Sequence, residues 1–293
     1  MLAFGWLFNI VERGRASYDR VTQLLQEKAE ITDQVNALDT VPAGEIEFNL
    51  ADFTYPGQGE PVLKDIHFSL HTGETLGIVG KTGAGKTTLL KLLIREFDSY
   101  QGEITFGGKT LQAYKLEKLR EAIGYVPQDH FLFSASVGEN IAFTNPNALT
   151  VEVENAAKLA NIHDDILQFF DGYHTVVGER GVSLSGGQKQ RISIARAILM
   201  NPEVLVLDDS LSAVDAKTEE AILTALRQNR EGKTTIITSH RLSAIQHANL
   251  ILVLEDGRIV ERGTHEALME SGGWYKEMYL RQQLEELVEH GGH

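Results

Sequence analysis

The chain contains no cysteine. Disulfides, thiolate metal sites and cysteine nucleophiles are therefore excluded, and the lack fits a reducing compartment. Long apolar runs are missing too. A bilayer span needs about 18–20 consecutive apolar residues. The most apolar stretch, residues 1–11 (MLAFGWLFNIV), is shorter, and it lacks the cationic start and small-residue cleavage site of a signal peptide. Basic residues are in deficit: 27 Lys and Arg face 41 Asp and Glu, a net charge of −14. So acidic a surface repels phosphate backbones, and nucleic acid is not an expected partner. Neither internal repeats nor low-complexity tracts occur.

What is there belongs to a globular protein. The 293 residues are 42% hydrophobic and 23% charged, enough to bury a real core in one large domain or two modest ones. Spacings of three and four among Phe4, Leu7, Phe8 and Val11, then Tyr18, Val21, Leu24 and Leu25, predict a helix over 1–30. It is either a surface helix docked on a core or the end of a membrane helix. Residues 31–44, with Pro42 and Gly44, form a linker. Strands are expected from residue 45, at 66–70, 75–79 and 103–106, with helices at 87–97 and 116–122. Between 129 and 181 helical periodicity replaces strand signal, as in 151–160 and 166–170. Beyond it come helix 191–199, strand 204–207, helix 218–228 and strands 234–238 and 251–255. Such alternation implies an α/β fold with a parallel sheet. A last helix, 267–287, is either a dimer contact or an ordinary surface helix.

Residues 80–87 read GKTGAGKT, matching G-x-x-x-x-G-K-[ST] between an apolar strand and a helix. The loop positions are Gly80, Lys81, Thr82, Gly83, Ala84, Gly85, Lys86 and Thr87, with Thr88 just beyond. Glycines let backbone N–H groups close on phosphate oxygens, and the helix start adds about half a positive charge. Lys86 would bring a full charge to the β- and γ-phosphates, and the Thr87 hydroxyl would ligate Mg²⁺. Residues 204–207 (VLVL) form a buried strand ending in Asp208 and Asp209. A carboxylate at the end of a parallel strand sits where ligands bind in open α/β sheets, and Asp208 can hold Mg²⁺ opposite Thr87.

Residues 184–188 read LSGGQ. With this segment the chain resembles the nucleotide-binding domain of ATP-binding cassette (ABC) transporters over about 45–268. The resemblance implies a P-loop ATPase core with a parallel sheet, an antiparallel β subdomain and an inserted α-helical subdomain at about 129–190. It implies ATP and Mg²⁺ as ligands. It assigns Tyr55 to adenine stacking, Gln128 of YVPQD to Mg²⁺ and the attacking water, residues 212–215 (SAVD) to the D-loop, and His240 of TSHR to the γ-phosphate. Ser185, Gly186, Gly187 and Gln188, ahead of the 191–199 helix, make a second anion site. In the family that site caps the nucleotide held by another subunit, so two ATP molecules are sandwiched in a head-to-tail dimer.

Residues 175–181 (TVVGERG) resemble the exporter segment that touches the transmembrane coupling helices, and residues 1–30 resemble the end of a half-transporter's last membrane helix with its connection. The implied division is 1–30 connecting helix, 31–44 linker, 45–270 nucleotide-binding domain and 271–293 C-terminal helix and tail. The implied location is the cytoplasmic face of the membrane, and the implied partner is a second half-transporter subunit. One position departs from the pattern. The family's catalytic base is Glu directly after the Mg²⁺-associated Asp; here it is Asp209, one methylene shorter and so drawn back by about 1.5 Å. Since about 1 Å of misplacement can cost about 100-fold, ATP is expected to bind well and to hydrolyse slowly. In the family this change occurs in heterodimeric exporters with one degenerate site, so a heterodimer is expected in which this subunit supplies the degenerate half. The alternatives are a slow homodimer, a nucleotide-binding regulatory subunit with little turnover, and a soluble relative acting on DNA or ribosomes. The short interval between Lys86 and Asp208 and the single cassette argue against the last.

Overall fold

The computed structural model describes residues 2–26, 29–178 and 182–290. The chain divides into two compact units, residues 1–32 and 33–293. The first holds helix α1 (Leu2–Gln26), on which Phe4, Trp6, Leu7, Phe8, Leu24 and Leu25 are exposed. Among the described residues no helix is long and apolar enough to cross a membrane.

The second unit opens with strands β1 (Ile46–Phe53), β2 (Leu63–Leu70) and β3 (Thr75–Gly80), then helix α2 (Lys86–Leu93). Strands β4 (Tyr100–Phe106) and β5 (Lys109–Thr110), helix α3 (Leu116–Glu121) and strand β6 (Ile123–Val126) follow. A helical stretch comes next: α4 (Val137–Ile141), α5 (Thr150–Leu159), α6 (His163–Leu167) and α7 (Gly186–Leu199). The chain then alternates through β7 (Val204–Asp208), α8 (Ala216–Asn229), β8 (Thr234–Thr238), β9 (Leu250–Glu255) and β10 (Arg258–Gly263), and ends in α9 (His265–Ser271) and α10 (Trp274–His290).

Two sheets form. One is antiparallel, in the order β2-β1-β4-β5. The other runs β10-β9-β3-β8-β7-β6, parallel except for the β10 edge. The parallel sheet is the middle layer. A strand's side chains alternate between faces, and here both faces are buried: Val204 and Val206 pack toward the antiparallel sheet and α2, whereas Leu205 and Leu207 pack toward α5, α7 and α8. Leu252 and Leu254 against Ile251 and Val253 repeat the split on β9. The expected fold class is thus the one observed: parallel sheet, separate antiparallel sheet, helical insertion.

The layers meet backbone to backbone at Gly257, in the turn between β9 and β10. Its amide donates to the Ala84 carbonyl (3.2 Å) and its carbonyl accepts from the Lys64 amide (2.8 Å). A Cβ at this position would overlap the Val62 carbonyl oxygen.

Several boundaries differ from the periodicity reading, each for a local reason. The helix expected to reach residue 97 stops at Leu93, because Arg95 turns left-handed (φ 54°) and its buried guanidinium binds Asp98 (2.9 Å). Helix α7 starts at Gly186, five residues early. Ser185 caps it by accepting from the Gln188 amide (3.2 Å), while the Gln188 side chain accepts from the Ser185 amide (3.1 Å). The single helix expected over 267–287 is two helices, broken where Gly272 adopts φ 75°. The β9–β10 hairpin and α4 were not anticipated. Of the exporter-like segment 175–181, residues 179–181 lie outside the described residues.

Candidate functional site

The phosphate loop leaves the sheet at Gly80, the last residue of β3, with φ 151° and no room for a Cβ beneath the Leu254 carbonyl. The chain re-enters regular structure at Lys86, the first residue of α2. Lys86 is buried, and its ammonium donates to the Gly80 (2.7 Å) and Lys81 (3.1 Å) carbonyls. The side chain is thus folded back across its own loop. Burial pushes its pKa down, and the Asp209 and Asp208 charges oppose that. Ala84 and Thr88 are buried, while Lys81, Thr82 and Gly83 form the exposed lip; Lys81 pairs with Glu255 (3.2 Å). The first amides of α2 lack intrahelical partners and face whatever the loop encloses.

Strand β7 delivers Asp208 to the same end of the sheet. Its carboxylate accepts three hydroxyls: Thr238 (2.7 Å) and Thr87 (3.2 Å) on Oδ1, and Tyr125 (3.0 Å) on Oδ2. Register explains this. Asp208 pairs with Thr238 on β8, and Tyr125 lies on β6, the other neighbour of β7. Burial and the Asp208 charge raise the Tyr125 phenol pKa far above its usual range, so it stays a donor. Asp209 follows with φ 46°. Its amide donates to the Thr238 hydroxyl (2.9 Å) and carbonyl (3.1 Å), and its carbonyl accepts the Ser212 hydroxyl (2.9 Å). Burial raises the Asp209 pKa; His240 pulls the other way.

A second surface is built around Ser185. With Gly186, Gly187, Arg191, Ala213, Val214, Asp215 and Thr218 it lines an open concavity of about 410 Å³. Gln190 ties the 212–215 loop to α7, accepting the Ala213 amide (3.0 Å) and reaching the Ser212 hydroxyl (3.4 Å). From the other side Arg241 donates to the Val214 (2.9 Å) and Ser212 (3.2 Å) carbonyls and pairs with buried Glu219 (3.1 Å).

Lys86, Thr87, Asp208 and Asp209 are therefore brought together; other expected residues stand apart. Gln128 is exposed past the end of β6, and it is Tyr125 of the same segment that touches Asp208. Tyr55 is half-buried, packed edge-on against Phe53 (5.0 Å) and Phe97 (5.2 Å), with its hydroxyl on Thr88 (2.9 Å). His240 is exposed, one residue beyond buried Ser239. Sequence reasoning missed Tyr125, Thr238, Gln190 and Arg241. Tyr125, Thr238 and Arg241 lie inside quoted motifs, but only register and packing reveal their partners. Among the described residues no cluster of three or more acidic, His or Cys side chains is arranged to hold a metal. Mg²⁺ needs only one or two protein oxygens beside phosphates and waters, and the Thr87 hydroxyl next to Asp208 offers that pair.

The family model of the ABC transporter matches residues 63–212, which contain the phosphate loop, LSGGQ and Asp208–Asp209. The chain belongs to the ABC transporter family. It is 52% identical over 284 residues to "Probable multidrug resistance ABC transporter ATP-binding/permease protein YheI" of Bacillus subtilis, covering 97% of this chain and 48% of that protein. With "Multidrug resistance-like ATP-binding protein MdlA" of Escherichia coli it shares 50% identity over 287 residues, again 97% of this chain and 48% of the other. A solved structure described as "a bacterial Atm1-family ABC exporter with ATP bound" superposes with a TM-score of 0.88 at 38% identity, covering 95% of this chain and 49% of that one. The chain spans about half the length of these relatives and corresponds to their ATP-binding portion.

Proposed function

We propose that this ABC domain is the ATP-binding and ATP-hydrolysing motor of an exporter on the cytoplasmic face of a membrane, working head-to-tail with a second half-transporter subunit. The observation that carries the reading is the pair of separate surfaces. Lys86, Thr87 and Asp208 converge at one, while Ser185 opens α7 at the edge of the other. A triphosphate gripped by the first in one subunit is capped by the second in its partner. Names of the relatives, an ATP-binding/permease protein and an exporter with ATP bound, support the same reading. Residues 1–30 are then the end of the last membrane helix with its connection, 45–270 the nucleotide-binding domain with its helical part at about 129–190, and the segment around 175–178, exposed at Val176 and Gly178, meets the coupling helices.

In this reading Lys86 releases its own loop carbonyls and turns to the β- and γ-phosphates. The α2 amides and Lys86 offset the charge that develops on the phosphoryl group. Mg²⁺, when bound between Thr87 and Asp208, adds charge neutralisation at the phosphates. Asp209 accepts the proton of the attacking water, and His240 donates to the γ-phosphate. Tyr125 and Thr238 hold Asp208 in place throughout. The short Asp209 side chain makes turnover slow at this chain's own loop, while the intact LSGGQ can complete a faster site in a partner that carries Glu. Asp209 also favours a second reading, a regulatory subunit that binds ATP with little turnover.

Equilibrium binding of a fluorescent ATP analogue tests the first surface. Lys86→Ala removes a charge-assisted contact and weakens affinity about 10–100-fold. Unchanged affinity, or an ATP-loaded protein that never pairs through the Ser185 surface in sedimentation, overturns the proposal.

A further inference from the structure

His240 can meet a γ-phosphate only if its backbone is held. It is exposed between two fixed points: Ser239, buried and bonded through its amide to the Ile78 carbonyl (3.3 Å), and Leu242, buried in the core. Between them the Ser239 hydroxyl accepts the Arg241 amide (2.9 Å), while the His240 carbonyl and the Leu242 amide are held by a more distant contact. That contact comes from 40 residues further along the chain. The Gln282 carboxamide, on α10, donates to the His240 carbonyl (2.8 Å) and accepts from the Leu242 amide (2.9 Å). Each end of one side chain thus meets the backbone group that suits it, as a neighbouring strand would. The two bonds bracket Arg241, whose backbone is extended (φ −91°, ψ 120°). Its side chain is the one that grips the 212–215 loop at Ser212 and Val214 and pairs with Glu219 on α8.

Helix α10 is well placed to serve as a fixed support. Tyr275 is fully buried and shares a hydrogen bond with His265 (2.9 Å). Tyr279 donates to Gln246 (2.9 Å). Residues 275, 279 and 282 recur at spacings of four and three, so they share one face of the helix. Packing of the Tyr275 and Tyr279 rings against the core, rather than the Tyr279 hydroxyl, therefore sets the height and rotation at which Gln282 meets the loop.

We propose that Gln282 is a positioning residue for hydrolysis, holding the His240–Leu242 backbone so that His240 and Arg241 present their side chains correctly to the γ-phosphate and the 212–215 loop. The proposal rests on the reading of His240 as a γ-phosphate contact. It makes the docking of the C-terminal helix a determinant of turnover and leaves ATP capture to the phosphate loop.

The test is single-turnover hydrolysis with the chain in excess over ATP and Mg²⁺ present, which reads slow rates directly, together with the affinity for a fluorescent ATP analogue. Gln282→Ala is expected to lower the rate about tenfold, the cost of a sub-ångström displacement where about 1 Å costs about 100-fold. Affinity should stay within about twofold, and amide exchange should speed up at Leu242. Tyr279→Phe, which removes the bond to Gln246 on the same helix face, should leave the rate within about twofold. Three results overturn the proposal: an unchanged rate in a folded Gln282→Ala, a loss that appears as weaker ATP binding at constant rate, or an equal rate loss in Tyr279→Phe. Failure of the unsubstituted chain to bind ATP appears before any variant is made, and it overturns both this proposal and the functional reading beneath it.

Discussion

Asp209→Glu is the substitution whose outcome the geometry specifies most closely. The backbone of residue 209 is pinned on both sides, its amide by Thr238 and its carbonyl by Ser212. It cannot slide forward to make up for a short side chain. A glutamate therefore delivers its carboxylate about 1.5 Å further out. If about 1 Å of misplacement is worth about 100-fold, the single-turnover rate should rise about 100-fold, or about 2.7 kcal/mol of barrier. ATP affinity should stay unchanged, because Asp209 does not hold the loop. The same position carries a cost. At φ 46° aspartate is among the few non-glycine residues that fit without much strain, so the longer side chain should lower folding stability by about 1 kcal/mol. Faster chemistry and a lower thermal midpoint should therefore appear together. Fast turnover by the unsubstituted chain, with no gain on Asp209→Glu, would refute the reasoning.

Three further outcomes follow from Ser185 and Asp209. Ser185→Ala removes the cap of α7 and should cost about 1 kcal/mol, or about 2–4 °C in the thermal midpoint, measured by calorimetry. Burial raises the Asp209 pKa, so its ionised form is disfavoured by folding; that penalty is absent below the unfolded value and present above the folded one. Asp209→Asn should consequently raise the thermal midpoint at pH 7 and leave it unchanged near pH 3. By the same sign, the acid limb of the hydrolysis rate in the unsubstituted chain should lie above the ordinary aspartate range, and a rate that stays flat down to pH ~4 would contradict the assignment.

How much of this could be read beforehand depends on the range of the interactions. The loop at 80–87 was legible because strand, turn and helix are encoded within a dozen neighbouring residues. The layer order followed from runs such as 204–207, buried on both faces. The polar scaffold was not legible, because its partners are distant in sequence. Thr238 is 30 residues from Asp208, Tyr125 is 83 residues away, and Gln190 reaches Ala213 across 23. The early start of α7 was hidden by Gly186 and Gly187, each of which weakens a helix by about 1 kcal/mol; reciprocal capping by Ser185 and Gln188 overcomes that. The edge-on packing of Tyr55 against Phe53 and Phe97 likewise emerges only in the folded chain.

Gly257 has a mechanical consequence. Where its turn meets β2 and the phosphate loop, main chain lies directly on main chain, and no side chain is available to absorb displacement. Any adjustment the loop makes around its guest is handed on at full size to the neighbouring sheet. Substitution has little scope to soften that joint, since every other residue is bulkier at the one spot where bulk is forbidden.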